Sequence, residues 1–558
     1  MLKEMSTARF FAKTLKSYDV DHVFFMDAIL RNSLAEMEDF GIRRILTHSE
    51  KAAAYMADGY CRVSRKPTVC MAQSVGAANL AAGLQDAYFA GSGLIAMTGR
   101  HVAEKQYRNA YQELPHEAMF AEVTKFSARA ESPKQFALLL RQAFREASTG
   151  NVRPVHLDVA GNTGSVLDQS AGDIEVVPEP EYGRIPAWRL RPDTDALDSA
   201  VDAISSASRP VIIAGIGAVT SDAGSAIQKI AEKLDIPVAG ALDAKAILTA
   251  DHPLNAGAVG TYSHEYANKF VAEADCAIFV GCDTGDQVTN NWTLPRRNAA
   301  VVHIDNDPSE PGRNFAGSIA LVGDPQATIA ELESRLPGTQ RPEWVARLAT
   351  LSEEWRQLQG PFVMSDSVPI RPERLCADLS KWLPSDAIVV ADTGYSSQWA
   401  GTFVDLNHSG QQFIRAAGSL GWSFPASLGA KCAAPQSTVI CFTGDGGFMY
   451  HLPELETAKR WNIKTITIVN NNSRLAQGLR NLLVAYEGRD KSRMHELFEF
   501  EQTNFAEIAR SFDCVGIRVT DPANLGAALD EAQSEPGPVV IDVVTDPSVQ
   551  ASLPWTPT

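Results

Sequence analysis

Short apolar runs of strand-like composition alternate with helix-patterned stretches along nearly the whole chain, and this alternation most constrains its fold. The runs cover residues 20–25, 67–73, 93–98 and 154–159, then 210–214, 277–280 and 300–304, then 387–391, 438–443, 465–469 and 539–544. Runs that are apolar on both faces and joined by helices belong to parallel sheets covered on both sides. Two proline-containing connections, residues 176–186 (VVPEPEYGRIP) and roughly 337–372, divide the groups; the second encloses a helix-patterned stretch, 343–359. The reading is α/β, with three doubly wound parallel-sheet domains at 1–170, 187–337 and 372–558.

Composition narrows the function. The 558 residues carry 50 Lys+Arg against 67 Asp+Glu, a formal charge of −17. Such acidity argues against a nucleic-acid partner, which needs a basic footprint. The eight cysteines form no C-x-x-C pair and sit in apolar runs, as reduced core thiols do. No apolar run reaches the ~20 residues of a membrane span. The start, MLKEMSTARFFAKTL, has an amphipathic pattern and lacks a signal-peptide core. The expectation is a cytoplasmic protein with no membrane partner.

The sharpest chemical feature lies in residues 438–472, TVICFTGDGGFMYHLPELETAKRWNIKTITIVNNN. A strand ends at Thr443. Gly444, Asp445, Gly446 and Gly447 make a turn, a helix follows, and a second strand runs into Asn470, Asn471 and Asn472. In a parallel sheet both strand ends lie on the edge where ligands bind. One carboxylate with amide and carbonyl oxygens suits a hard cation such as Mg²⁺. The glycines let backbone N–H groups approach a phosphate. In isolation, a capping aspartate and an Asn-rich turn would leave the same trace.

Gly444-Asp445-Gly446 with Asn470-Asn471 further on resembles the diphosphate- and metal-binding motif of thiamin-diphosphate enzymes. The resemblance extends over nearly the whole chain and is strongest to the acetolactate synthase group of 2-oxoacid carboligases and decarboxylases. It implies a pyrimidine-binding, a central Rossmann-like and a diphosphate-binding domain. It implies thiamin diphosphate and Mg²⁺, with Asp445, Asn471 and the Ser473 carbonyl as metal ligands. In HSEKAAAYMADGYCR (48–62), it implies Glu50 as the carboxyl group that activates the cofactor through its aminopyrimidine ring. In RAAGSLGWSFPA (415–426), Leu420 stands where a bulky apolar residue bends the cofactor, and backbone groups of Gly418 and Leu420 would bond the aminopyrimidine. Gly394, Tyr395 and Ser396 fall at diphosphate-contact positions. Val75, Asn79 and Gln112 line the cofactor, Gln112 being the best polar candidate for substrate contact; either amide would equally serve a structural role. The family builds each active site from two subunits, which implies a homodimer or homotetramer.

The chain also departs from acetolactate synthases. Near residue 27, where they carry a Pro-Gly-Gly-Ala loop, this chain reads Phe25-Met26-Asp27-Ala28-Ile29-Leu30; Asp27 is either a second acid/base group or a turn aspartate. In GCDTGDQVT (281–289), Gln287 replaces an arginine that helps hold the acceptor carboxylate, and Asp283 replaces one linked to flavin binding. The expectations are no FAD and an activity other than biosynthetic acetolactate formation. Arg474 and Arg480 either bind an anionic substrate or decorate a helix. TKFSAR (124–129) resembles 2-hydroxyacyl-CoA lyases, and Lys125 there would reach a carboxylate or phosphate. The leading function is a lyase or carboligase acting on a 2-oxo acid. The alternatives are a 2-hydroxyacyl-CoA lyase or oxalyl-CoA decarboxylase-like enzyme taking an acyl-CoA, and a non-catalytic cofactor-binding homologue. A dinucleotide fingerprint at Gly215 and Gly217 is incomplete, because Thr220 stands at the third glycine position.

Overall fold

A computed structural model of the chain describes residues 4–27 and 29–557. Ala28, named above in the substituted turn, lies outside the described residues. The described residues hold three six-stranded sheets, and every pairing within them is parallel. The first has the spatial order Arg43–Leu46, His22–Phe25, Thr68–Ala72, Leu94–Arg100, Val155–Ala160, Phe126–Ala130. The second runs Asn255–Ala258, Val238–Gly240, Pro210–Ala214, Cys276–Val280, Ala300–Asp305, Ile319–Val322. The third runs Gln412–Arg415, Ile388–Ala391, Val439–Gly444, Ile466–Asn471, Val539–Val544, Val515–Val519. Helices flank each sheet, and a short antiparallel pair, Met5–Ser6 with Ala171–Gly172, completes the strands.

Each apolar run read from sequence is an inner strand; the inner strand Val238–Gly240, three residues long, is not among them. The six edge strands lack such a run, and in Arg43–Leu46, Phe126–Ala130 and Ile319–Val322 most residues are exposed or half-buried. The strand Ile466–Asn471 extends past its apolar run and takes Asn470 and Asn471 into the ladder. The second connection carries a longer helix than expected, Pro342–Val363, anchored by the Trp344 indole on the Pro210 carbonyl at 2.8 Å. The first is no extended linker. Buried Glu179 accepts hydrogen bonds from Arg141 at 2.9 and 3.1 Å, from Arg145 and from the Tyr18 hydroxyl. These bonds dock residues 176–188 on the first domain, so that domain extends beyond the expected boundary at 170.

The chain forms two compact units: residues 1–188 with 416–437 and 451–465, and residues 189–415 with 438–450 and 466–558. In the first, the helices Glu50–Ser64 and Ser423–Ala433 cross at near contact. A side chain at Gly59 would collide with the Ala426 carbonyl, and one at Gly429 with the Met56 carbonyl. The cysteines are free, all but Cys432 buried, and among the described residues no helix is long and apolar enough to cross a membrane.

The second unit carries a histidine that burial keeps neutral. His264 Nδ1 accepts the Ala258 N–H at 2.9 Å, so that nitrogen cannot hold a proton. Burial, with Lys245 adding to it, lowers its pKa to about 3. A histidine depressed in the folded state contributes stability in full above its unfolded value near 6.5, and loses it as pH falls from there towards 3. His264→Asn, whose amide oxygen can still accept from Ala258, should flatten the fall of unfolding free energy below pH 6.5 by up to about 1.4 kcal/mol per pH unit. Denaturant unfolding of both proteins from pH 7.5 to 4.5 measures this; parallel curves would refute it.

Candidate active site

Register brings the Gly-Asp-Gly turn and the Asn run together. Gly444 stands opposite Asn470 in the third sheet, so the residues just beyond each leave the same edge side by side. Ile388–Ala391 pairs with the other side of Val439–Gly444 and leads into Asp392 and Gly394. Gly394 has φ +69°, a left-handed conformation that favours glycine, and precedes the helix Tyr395–Phe403. A side chain at Gly444 would lie 3.1 Å from Ser396 Oγ, one at Gly447 3.0 Å from Thr443 Oγ1, and one at Gly446 2.8 Å from Leu475. These turns are therefore open only as glycine.

Asp445 is buried and accepts N–H bonds from Gly446 at 2.7 Å and Arg474 at 3.2 Å. Burial lifts its pKa to about 6, and the backbone donors pull the other way. The Arg474 N–H is shared with Asn472 Oδ1 at 3.1 Å, so the amide oxygen beside the Asp445 carboxylate is that of Asn472. The Asn471 amide nitrogen instead donates to Thr503 O at 2.9 Å and Asp542 Oδ1 at 2.8 Å. Both bonds use only the amide nitrogen of Asn471, so they do not touch the ligand role expected of its oxygen. The Ser473 carbonyl already accepts the Phe500 N–H at 2.8 Å. Among the described residues no three His, Cys, Asp or Glu cluster to hold a metal, so any cation here takes amide and main-chain oxygens beside one carboxylate.

Arg474 bonds Glu499 at 2.7 Å and the Pro547 carbonyl; Arg480 bonds Gln550 and the Ala551 carbonyl. Both guanidinium groups tie segments of the chain together, and the apolar side chains Leu475 and Phe500 are what lie against Gly446.

Glu50 opens its helix in the first unit, after Ser49, whose Oγ accepts the Ala52 N–H at 3.1 Å. Asn79 Nδ2 donates to Glu50 Oε2 at 2.7 Å, and Glu50 Oε1 lies against Gly76, where any side chain would overlap it. Val75 is exposed beside them. The neighbouring Ser74 hydroxyl donates to the Gln112 carbonyl at 2.5 Å, and the Ser74 carbonyl accepts from buried His116 Nε2 at 2.9 Å. Gln112 has φ +64°, and its side-chain oxygen is buried with no partner, ready to accept from a bound group. Exposed Asp27 follows the strand His22–Phe25. His48 turns to Glu456 at 2.7 Å.

The 416–420 loop also belongs to the first unit. The N–H groups of Ala417, Gly418 and Ser419 all point to the buried Asp86 carboxylate, at 2.8, 3.2 and 2.9 Å. The Gly418 N–H is thus committed, which leaves its carbonyl as the backbone group of Gly418 open to a ligand. Asp86 was missed in sequence because a lone aspartate in AANLAAGLQDAYF reads as a surface position of an amphipathic helix.

In the second unit Gln287 bonds Arg415, which also pairs with Asp243 at 2.8 Å. An arginine thus reaches position 287 from another strand, already neutralised. Gly215 and Gly217 pack against the Gly281–Cys282 backbone, which accounts for both glycines. Lys125 Nζ donates to the Thr149 carbonyl at 3.0 Å on the edge of the first sheet.

Comparison with known proteins agrees with this layout. Three family models match: thiamine pyrophosphate enzyme N-terminal TPP binding domain at 5–119, central domain at 197–332 and C-terminal TPP binding domain at 392–543. The chain belongs to the thiamine pyrophosphate enzyme family. A "Probable acetolactate synthase large subunit" of Methanocaldococcus jannaschii is 32% identical over 535 residues, covering 93% of this chain and 88% of the relative. One of Methanococcus aeolicus is 28% identical, covering 98% and 93%, and a "Probable acetolactate synthase" of Mycobacterium bovis is 29% identical, covering 98% and 96%. Within the family this chain is acetolactate synthase-like, a thiamin-diphosphate-dependent carboligase or decarboxylase.

Gly76 has an ordinary helical φ, so alanine is tolerated by the backbone but not by Glu50. Gly76→Ala should leave the thermal midpoint within about 3 °C and cut turnover at least about tenfold by displacing the Glu50 carboxyl group. Unchanged turnover would show that the Gly76 contact does not hold Glu50.

Proposed function

We propose that this enzyme joins or cleaves a carbon–carbon bond beside the carbonyl of a 2-oxo acid, in a reaction other than biosynthetic acetolactate formation, using thiamin diphosphate and Mg²⁺ without FAD. The observation that carries the reading is the conjunction of Glu50, held by Asn79 over Gly76, with the glycine-lined Asp445 turn. The residues fit the cofactor: the glycine turn after Thr443 sets the Asp445 carboxylate and main-chain groups on the sheet edge, and among the described residues the buried Gln112 oxygen lacks a donor that a bound amino group would supply. Asp445, the side-chain oxygen of Asn471 or of its neighbour Asn472, and a main-chain carbonyl of the 473–474 turn would hold the cation. Thiamin diphosphate, when bound, supplies the nucleophilic carbon and electron sink for this chemistry. Glu50 is the proton-exchanging group at the aminopyrimidine, and Asn79 orients it. Leu420 is the apolar support that keeps the cofactor bent, and Val75 and Gly418 line it.

The departure from acetolactate synthesis rests on Gln287, whose neutral amide gives no bidentate grip on a carboxylate, and on Asp27 at the family's glycine loop. Asp283, exposed and anionic, disfavours a flavin diphosphate. A homodimer or homotetramer is the proposed assembly, with each site shared between subunits; exposed Tyr107 and Tyr111 beside Gln112 give a partner apolar surface to cover. The proposed location is cytoplasmic.

The test is purified protein with thiamin diphosphate and Mg²⁺, screened against pyruvate, longer and aromatic 2-oxo acids and 2-hydroxyacyl-CoAs by mass spectrometry. CO₂ or a ligation product from a 2-oxo acid other than pyruvate supports the reading. Acyl-CoA cleavage without CO₂ moves the enzyme to the lyase branch, and tight cofactor binding with no turnover makes it a binding homologue. Glu50→Gln should keep the fold and the cofactor yet lose at least about a hundredfold in turnover.

The two asparagines separate cleanly. Asn472→Ala should raise the Mg²⁺ concentration needed for half-maximal activity at least about tenfold, with little change in stability. Asn471→Ala leaves Asp542 and the Thr503 carbonyl short of a donor, and should lower stability by about 1–3 kcal/mol with a smaller shift in Mg²⁺ requirement. The reverse pattern would make Asn471 the ligand.

A further inference from the structure

The most completely built polar cluster outside the groups already assigned lies beneath the 416–420 loop. Asp86 comes from the helix Ala77–Phe89, more than 300 residues earlier in the chain, and is fully buried. Its carboxylate takes three successive backbone N–H groups, and Arg62 adds a bond to Oδ1 at 3.0 Å. The same guanidinium grips Asp58 at 2.9 and 2.6 Å and lies 4.4 Å over the Trp422 ring. Asp58 also accepts the Trp422 indole N–H at 2.9 Å and the Ser92 hydroxyl at 2.6 Å.

We propose that Asp86 is the positioning residue that sets the shape of the cofactor-facing loop, clamped in turn by Arg62 and Asp58. The proposal rests on the reading that Gly418 and Leu420 contact the cofactor. Its core is peptide geometry. In a trans peptide the N–H and C=O point in opposite directions. With the Ser419 N–H drawn to Asp86, the Gly418 carbonyl is turned away from it, and the Gly418 N–H turns the Ala417 carbonyl likewise. A side chain built on Gly418 would meet nothing within 4 Å, so that outer face is open. Asp86 thus presents to the open side of the loop a carbonyl acceptor of the kind an aromatic amino group needs. Arg62 supplies the charge that makes a buried carboxylate tolerable there.

Asp86→Asn keeps the shape but confronts the loop N–H groups with an amide NH₂, which frees the 418–419 peptide to turn. Binding is read from quenching of tryptophan fluorescence on titration with thiamin diphosphate at fixed Mg²⁺, with no turnover required. The expected result is an affinity loss of at least about tenfold, with KM for the 2-oxo acid unchanged at saturating cofactor. Ser92→Ala, which removes a bond to Asp58 in the same cluster, should lower the thermal midpoint without moving cofactor affinity. A purely structural cluster would give both variants a lower midpoint and wild-type affinity, and that overturns the proposal. If Asp86→Asn does not fold, Arg62→Lys takes its place, with a several-fold loss expected and unchanged affinity again overturning. Leu420→Ala separates the two claims. If it binds the cofactor normally, the loop assignment falls and the proposal with it. If it weakens binding while Asp86→Asn does not, the loop assignment stands and only the role of Asp86 is lost.

Discussion

The first unit depends on how closely two helices can approach. Gly59 lets the carbonyl of Ala426 sit where a side chain would be, and Gly429 does the same for the carbonyl of Met56. Even one methyl group at either position would force the helices apart, because packed interiors have no slack for it. The crossing has consequences at both ends. Glu50 begins one of these helices, and the Leu420 loop leads into the other. Glu50 and the Leu420 loop of one chain are therefore held on one rigid pair of helices. The polar cluster of Asp58, Arg62 and Asp86 grows from the same helix and its neighbour, so the apolar crossing and the buried charges reinforce one geometry.

The second unit solves a different problem with the same economy of means. Its ligand-facing groups come from strand ends, and register alone decides which residues meet. Gly444 opposite Asn470 is enough to place Asp445 beside the residues that follow. The surrounding glycines let Ser396, Thr443 and Leu475 pack close, while Arg474 and Arg480 tie the following segment to the tail at Pro547 and Ala551. Cationic side chains that looked available to a substrate are thereby spent on architecture, and the surface next to Gly446 is left apolar.

Much of this was legible beforehand, and the misses have physical causes. Inner strands announce themselves because both faces are buried, as in Pro210–Ala214 and Val539–Val544, which were read to the residue. Edge strands such as Val515–Val519 are half exposed, carry mixed composition and look like loops. The Asp445 turn stood out because three glycines flank one aspartate at a strand end. The end of the second strand was read less sharply, because the apolar run stops at Val469 while the ladder continues to Asn471. Asp86 was invisible for another reason: its partners are backbone amides over 300 residues away, and no local spacing encodes such a contact.

The interleaving of the two units also bears on how the protein is made. The helix Glu50–Ser64 has its counterpart at Ser423–Ala433, and residues 451–465 join the same unit later still. During synthesis the first unit thus waits, its glycine-lined groove uncovered, while the ribosome produces the whole central domain and half of the third. At 5–20 residues per second that interval lasts on the order of half a minute. The first sheet can form early, but its closing surface cannot. The nascent chain must be shielded from misassembly over that time, and a fragment ending before residue 465 is expected to be aggregation-prone rather than a free-standing domain.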